Sequence, residues 1–137
     1  MLANGTTLAY KPKGSEEEYK DLPGLKEIPD MGTEQEKVDN TPLTAKNKQY
    51  EYGIGDPGDM TYKFSYDNSS ADSPYRVMRD AEASHEVFSF KEQLVDGSTT
   101  EFDAQVSVKR TGGGVNGVIE FNLNLAIQSD YKYTDPA

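Results

Sequence analysis

From Val118 to Gln128 the chain alternates apolar and polar residues, Val-Ile-Glu-Phe-Asn-Leu-Asn-Leu-Ala-Ile-Gln. Strand side chains point to opposite faces with a period of two. Ile119, Phe121, Leu123, Leu125 and Ile127 are therefore predicted on one face, and Glu120, Asn122, Asn124, Ala126 and Gln128 on the other. No helical stripe fits this spacing. Burying the five apolar side chains stabilises a fold by roughly 7–15 kcal/mol as an upper bound. A slip of one residue would turn all five to water, which fixes the register. Thr100 to Arg110 repeats the pattern, with Phe102, Ala104, Val106 and Val108 inward and Asp103, Gln105, Ser107 and Lys109 outward. Thr111 to Gly117 between these stretches reads as a hairpin loop, so they form an antiparallel pair.

Met60 to Tyr66 is a further strand, with Met60, Tyr62, Phe64 and Tyr66 facing one way. Glu86 to Leu94 carries Phe88 and Phe90 on one face, and Asp96-Gly97 after it is a tight hairpin signal. Ser73-Pro74 opens the one good helix, ending near Ala83, with an apolar stripe of Tyr75, Met78 and Ala81. Ser73 is expected to accept a hydrogen bond from a first-turn N–H. Thr6–Tyr10, Tyr19–Ile28 (broken at Pro23-Gly24) and Glu36–Thr41 are short or irregular strands. Lys11–Glu18 is a charged loop and Asp130–Ala137 an extended polar tail. From Leu43 to Asp59 the pattern is lost, glycines and prolines punctuate, and a long loop is expected, with Asp56-Pro57-Gly58-Asp59 as a turn. The whole reads as a single mainly β domain over residues 1–137, antiparallel, with one short flanking helix.

Composition narrows the function. The net charge is −10, and no segment holds the Lys/Arg patch that nucleic acid or anionic membrane requires. Without cysteine there is neither a disulfide framework nor a Cys-based zinc site. The first seven residues lack a basic start and an apolar core, so no export signal is expected. No run approaches the roughly 18–20 apolar residues of a membrane span. With 34% hydrophobic residues and nine Tyr against five Phe, the core is lean, which suggests help from neighbouring subunits, although composition alone favours a plain polar monomer.

Candidate chemistry is sparse. His85, the one histidine, sits after the helix with no oxyanion-loop pattern nearby and reads as a surface residue. Asp67-Asn68-Ser69-Ser70-Ala71-Asp72 offers oxygens but lacks the glycine and closing glutamate of an EF-hand loop, so it reads as a turn. Gly112-Gly113-Gly114 leads into a strand, unlike a phosphate cradle, which leads into a helix. No catalytic, metal or cofactor site is expected.

The ordered set of turns and aromatics resembles a known family. Tyr50 to Gly55, followed by Asp56-Pro57-Gly58-Asp59-Met60-Thr61-Tyr62-Lys63-Phe64-Ser65-Tyr66, is similar to a segment of the major tail tube proteins of long-tailed phages. Ser73-Pro74-Tyr75, Phe88, Phe90, Asp96-Gly97, Phe102 and the last long strand follow in the same order. The resemblance implies a β-sandwich or half-barrel, a virion component, and hexameric rings stacked into a tube around a tape-measure protein. It implies tail terminator and baseplate proteins as further partners, and genomic DNA that passes through without specific binding. On that basis Asp103, Gln105, Ser107, Glu120, Asn122 and Asn124 are expected to line the bore, with the acidic balance keeping phosphates from adhering. The Leu43–Asp59 loop, with Lys46, Asn47, Lys48, Tyr50 and Tyr52, is expected at ring-to-ring contacts, as are the Lys11–Glu18 segment and the two termini. The alternatives are another tail ring protein, such as a terminator or baseplate hub, and a non-enzymatic β-sandwich binding module.

Overall fold

The computed structural model describes the chain except residues 33, 40, 44–46, 48, 57, 58 and 137, and describes the backbone alone at 34–36, 38 and 50–56. In chain order the elements are β1 (Thr7–Pro12), β2 (Lys20–Asp21), β3 (Leu25–Glu27), β4 (Glu34–Asp39), β5 (Tyr50–Asp56), β6 (Asp59–Ser65), α1 (Pro74–Ser84), β7 (Val87–Gln93), β8 (Thr99–Thr111), β9 (Glu120–Ile127) and β10 (Lys132–Thr134). One sheet runs β2-β1-β7-β8-β9-β6-β3, with β10 added alongside β8. Every pairing in it is antiparallel.

The sheet is rolled. Its two outermost strands, β2 and β3, are consecutive in the chain and only Leu22, Pro23 and Gly24 join them. Four residue steps reach at most about 14 Å, so the two edges lie within that distance. The connection itself extends both edges. Leu22 N–H donates to Leu8 C=O at 2.8 Å, and Gly24 C=O accepts from Ser65 N–H at 2.8 Å. Gly24 has φ +87°, a left-handed conformation that glycine adopts without strain.

Alternation puts the core inside the roll. Leu8, Tyr62, Phe64, Phe90, Ala104, Phe121, Leu123 and Leu125 are fully buried, and Phe102 nearly so. Phe64 stacks on Phe121 at 5.2 Å between ring centroids, and Phe90 on Phe102 at 5.8 Å. These are cross-strand partners, so sheet register and ring packing enforce each other. Helix α1 covers the core with Pro74, Met78 and Ala81, two of which lie on the predicted stripe.

Several expectations are corrected. Residues 43–59 are not one loop, because β5 occupies Tyr50–Asp56 and pairs antiparallel with β4 in a separate two-stranded sheet. Ile119 does not face the core. The ladder of β9 begins one residue later, at Glu120, and Ile119 is 48% exposed. Ser73 does not cap α1 through its side chain. Its Oγ accepts instead from Ser70 N–H at 2.9 Å, in the turn before the helix. Lys11 and Pro12 belong to β1, because Lys11 pairs with Ser89 and Pro12 with Phe88 of β7. The polar tail contains β10, which pairs with the first three residues of β8 beyond the end of β9.

Candidate functional site

The six residues expected to share a polar surface do share one face of the sheet, opposite the core. The register sets them in rows. Thr61, Asn124 and Ser107 lie side by side on β6, β9 and β8, and Lys63, Asn122 and Lys109 form the next row. Ser65, Glu120 and Thr111 form a third. Asp103 stands further along β8, opposite Ser89 of β7.

These residues fall into three environments. Gln105, Ser107 and Asn124, with Asp59, Thr61 and Ala126, line an open groove of about 450 Å³. Within it Thr61 Oγ1 donates to Asn124 Oδ1 at 2.7 Å. Ser107 Oγ donates to Glu82 Oε1 at 3.1 Å and Gln105 Nε2 to His85 C=O at 3.4 Å, which ties the groove to the end of α1. His85 itself caps the helix with φ 56°, its N–H donating to Glu82 C=O. Glu120 and Asn122 are half-buried. Lys26 Nζ lies 3.5 Å from Glu120 Oε2, while Asn122 Oδ1 is buried without a hydrogen-bond partner. Asp103 is held in a third cluster, where Ser89 Oγ donates to its Oδ1 at 2.7 Å and Lys13 Nζ stands 3.9 Å from its Oδ2. Beside this cluster Tyr19 lies under Lys11 at 4.8 Å and Lys91 at 5.8 Å. Burial, and then the Glu101 carboxylate, push its phenol up to about 12.

The charge on this face differs from the chain average. Cross-strand partners place Asp21, Glu27, Asp59, Glu101, Asp103 and Glu120 on it. Lys11, Lys63, Lys91, Lys109 and Lys132 share it, and Lys26 reaches it through its ion pair with Glu120. Lys13 and Glu82 likewise reach it through Asp103 and Ser107, so among the described residues acidic and basic side chains balance on this face. Lys63–Glu27 and Lys132–Glu101 pairs, each at 3.7 Å, neutralise the face locally. Sequence reading missed this balance, although the alternation that assigned the acids also assigned the lysines.

Of the expected loop contacts, Tyr50 and Tyr52 are strand residues of β5, paired with Asp39 and Lys37. Asn47 is exposed, whereas Lys46 and Lys48 lie outside the described residues, as do Pro57 and Gly58 of the expected turn. At the base of the hairpin end, Thr41 Oγ1 donates to Asp39 Oδ1 at 2.6 Å and accepts from Gln49 N–H at 2.7 Å. Among the described residues the strands of the β4–β5 ladder pair with each other and not with the rolled sheet, which makes the ladder an arm. Among the described residues no group of three or more His, Asp or Glu side chains is placed to hold a metal ion. Asp67 of the expected turn accepts from Ser69 N–H at 3.0 Å.

The sequence matches the model of the phage tail tube protein (TTP) family over residues 14–135. Among curated proteins none matches. Among solved structures, the chain is similar to one from the tail of an empty gene transfer agent (GTA) particle, refined with helical C6 symmetry. Identity is 19% and the TM-score 0.73, over 97% of this chain and 99% of that one. A chain of the native GTA virion aligns at 18% identity and TM-score 0.67, over 93% and 95%. A chain from the sheath/tube terminator of an extracellular contractile injection system in its extended state aligns at 7% identity and TM-score 0.67, over 98% and 96%.

Proposed function

The chain belongs to the phage tail tube protein family, and on that premise we propose that six copies form a ring and that rings stack into the hollow tube of a virion tail. The tube encloses a tape-measure protein during assembly, meets terminator and baseplate proteins at its ends, and later conducts DNA. One observation carries this reading: the rolled sheet keeps a continuous polar face beside a self-paired hairpin arm. A solvated face is ordinary for an antiparallel sheet, and it is the marginal two-stranded arm that calls for a neighbour. The C6 symmetry given for the GTA tail supports six copies per ring.

The polar face lines the bore, with Asp103, Gln105, Ser107, Glu120, Asn122 and Asn124 toward the lumen. Its balance of charges replaces the acidic lining expected from composition. DNA slides because hydroxyls, amides and paired ions offer no basic excess to hold phosphate, not because the wall repels it. The β4–β5 arm, with exposed Asn47 beyond it, reaches the next ring. An isolated two-stranded hairpin is marginal in water, and docking against a neighbour supplies the missing burial.

Negative-stain electron microscopy of the concentrated protein tests the proposal. Rings with six-fold averages and tubes of open-ended length are expected. A chain that stays monomeric even with tape-measure protein would overturn it. Single rings that never extend would favour a terminator or hub ring instead.

A further inference from the structure

Six of the eight large apolar side chains exposed among the described residues gather at two places, Leu43 and Tyr133 being the other two. β1 and β8 run parallel, since each is antiparallel to β7. Met1 and Leu2 precede β1, and Val95 lies in the turn that precedes β8. Val115, Val118 and Ile119 lie in the tip that follows β8. All six are exposed, Val115 fully so. The molecule therefore carries apolar surface at the two opposite ends of β8.

Both ends are ordered. In the tip, Gly112 has φ +85°, and a Cβ there would lie 2.0 Å from Val118 C=O. A Cβ on Gly117 would lie 2.8 Å from Gly112 C=O. Gly117 N–H donates to Gly114 C=O at 2.9 Å. Glycines thus cross each other closely and hold the valines outward as a fixed knob. At the other end Thr6 N–H and Oγ1 both donate to Ala3 C=O, at 3.0 and 2.7 Å. A Cβ on Gly5 would touch Val95 at 3.2 Å, so segment 1–6 packs on the Val95 turn.

Charge identifies the occupant. Residues 111–119 carry no charged side chain, nor do residues 1–7, in a chain that is 28% charged with net −10, and the one acid of the Val95 turn, Asp96, meets no like charge on the tip. Two copies of so acidic a chain repel within a Debye length of about 10 Å unless they meet through uncharged surface. A contact between two different patches builds an open stack when its repeat does not rotate back on itself, and patches at opposite ends of one strand favour that.

We infer that Val115 and Val118 of one copy seat against Leu2 and Val95 of the next, as an end-to-end contact between copies. This rests on the ring-and-tube reading and specifies its axial surface. Two double variants test it, Val115→Asp with Val118→Asp, and Leu2→Asp with Val95→Asp. Because these side chains are exposed, both variants keep the wild-type thermal midpoint. Each alone yields rings but no tubes in negative stain. Mixed, they form one contact and stop at two stacked rings. Val115→Ile keeps tubes. Wild-type tube lengths in either double variant, or growth of the Leu2/Val95 variant alone by tip-to-tip pairing, would overturn the inference while leaving the ring-and-tube reading intact. If wild-type protein forms neither rings nor tubes, that reading falls and this one with it.

Discussion

Tyr62 and Glu92 pair inside the core, where the Tyr62 hydroxyl donates to Glu92 Oε2. Tyr62 is fully buried and Glu92 nearly so. Burial raises the Glu92 carboxyl above its ordinary 4.5, and the Tyr62 bond opposes that shift only in part. The Tyr62 phenol is raised by the same burial and by the neighbouring carboxylate. Tyr62→Phe keeps the ring and removes the donor. A hydrogen bond to a charged group contributes about 1.5–3 kcal/mol, and a buried ion left without its partner costs about 3–5 kcal/mol. We expect a loss of about 3 kcal/mol at pH 8, a fall of about 10 °C in thermal midpoint. The sign follows from the raised carboxyl. Its stabilising protonated form is fully present below 4.5, and the contribution is lost as pH rises through the folded-state value. Removing the one lowering partner moves that value higher still. Tyr62→Phe therefore costs less at pH 5 than at pH 8, and adding Glu92→Gln restores most of the loss at pH 8 and little at pH 5. Circular-dichroism melts of the four chains at both pH values decide it. An equal Tyr62→Phe cost at the two pH values, or no recovery with glutamine, would refute the reasoning.

Phe121→Ala empties a fully buried site stacked on Phe64 and edge-on to Tyr75 at 5.4 Å. Its cost is about 3–5 kcal/mol by denaturant unfolding. Gly112→Ala forces a Cβ against Val118 C=O and is expected to destabilise by at least about 1–3 kcal/mol, read the same way. Replacing residues 41–49 by a two-residue turn leaves the thermal midpoint of the rolled sheet unchanged but abolishes tubes in electron microscopy, because the arm pairs only with itself. Asp39, Asp67 and Asp96 are held below their ordinary 3.8 by hydrogen bonds from Thr41, Ser69 and Ser98. Their contribution is present above that value, and the midpoint should fall as pH drops through their lowered values.

How far the fold was legible depends on where burial is one-sided. β6, β8, β9 and α1 could be read because one face of each meets the core, so periodicity survives in the letters. β5 was missed because Gly53 and Gly55 read as loop punctuation, although Tyr50, Tyr52 and Ile54 alternate. β10 has no local signal in Lys-Tyr-Thr. It is a strand only because β8 outruns β9 and leaves Thr99–Glu101 without a partner on that side. Ile119 continues the alternation past the end of the ladder, where period no longer implies burial. The six polar residues could be assigned to a face, yet neither its neutrality nor its division into three clusters follows from net charge. Both arise from which strands the roll sets side by side.

The joining of the sheet's edges through Leu22–Gly24 bears on how the chain is made. Tyr10 pairs with Phe90, 80 residues later. At about 5–20 residues per second, a ribosome takes roughly 4–16 s to supply that partner. Until then β1 has only the two residues of β2 to pair with, and Leu8 and Leu22 lack the rest of the core that buries them. The interior must also wait for β9, which brings Phe121, Leu123 and Leu125 to it. Abundant synthesis thus places many half-made copies together with open strand edges, the condition under which helper proteins have most to do.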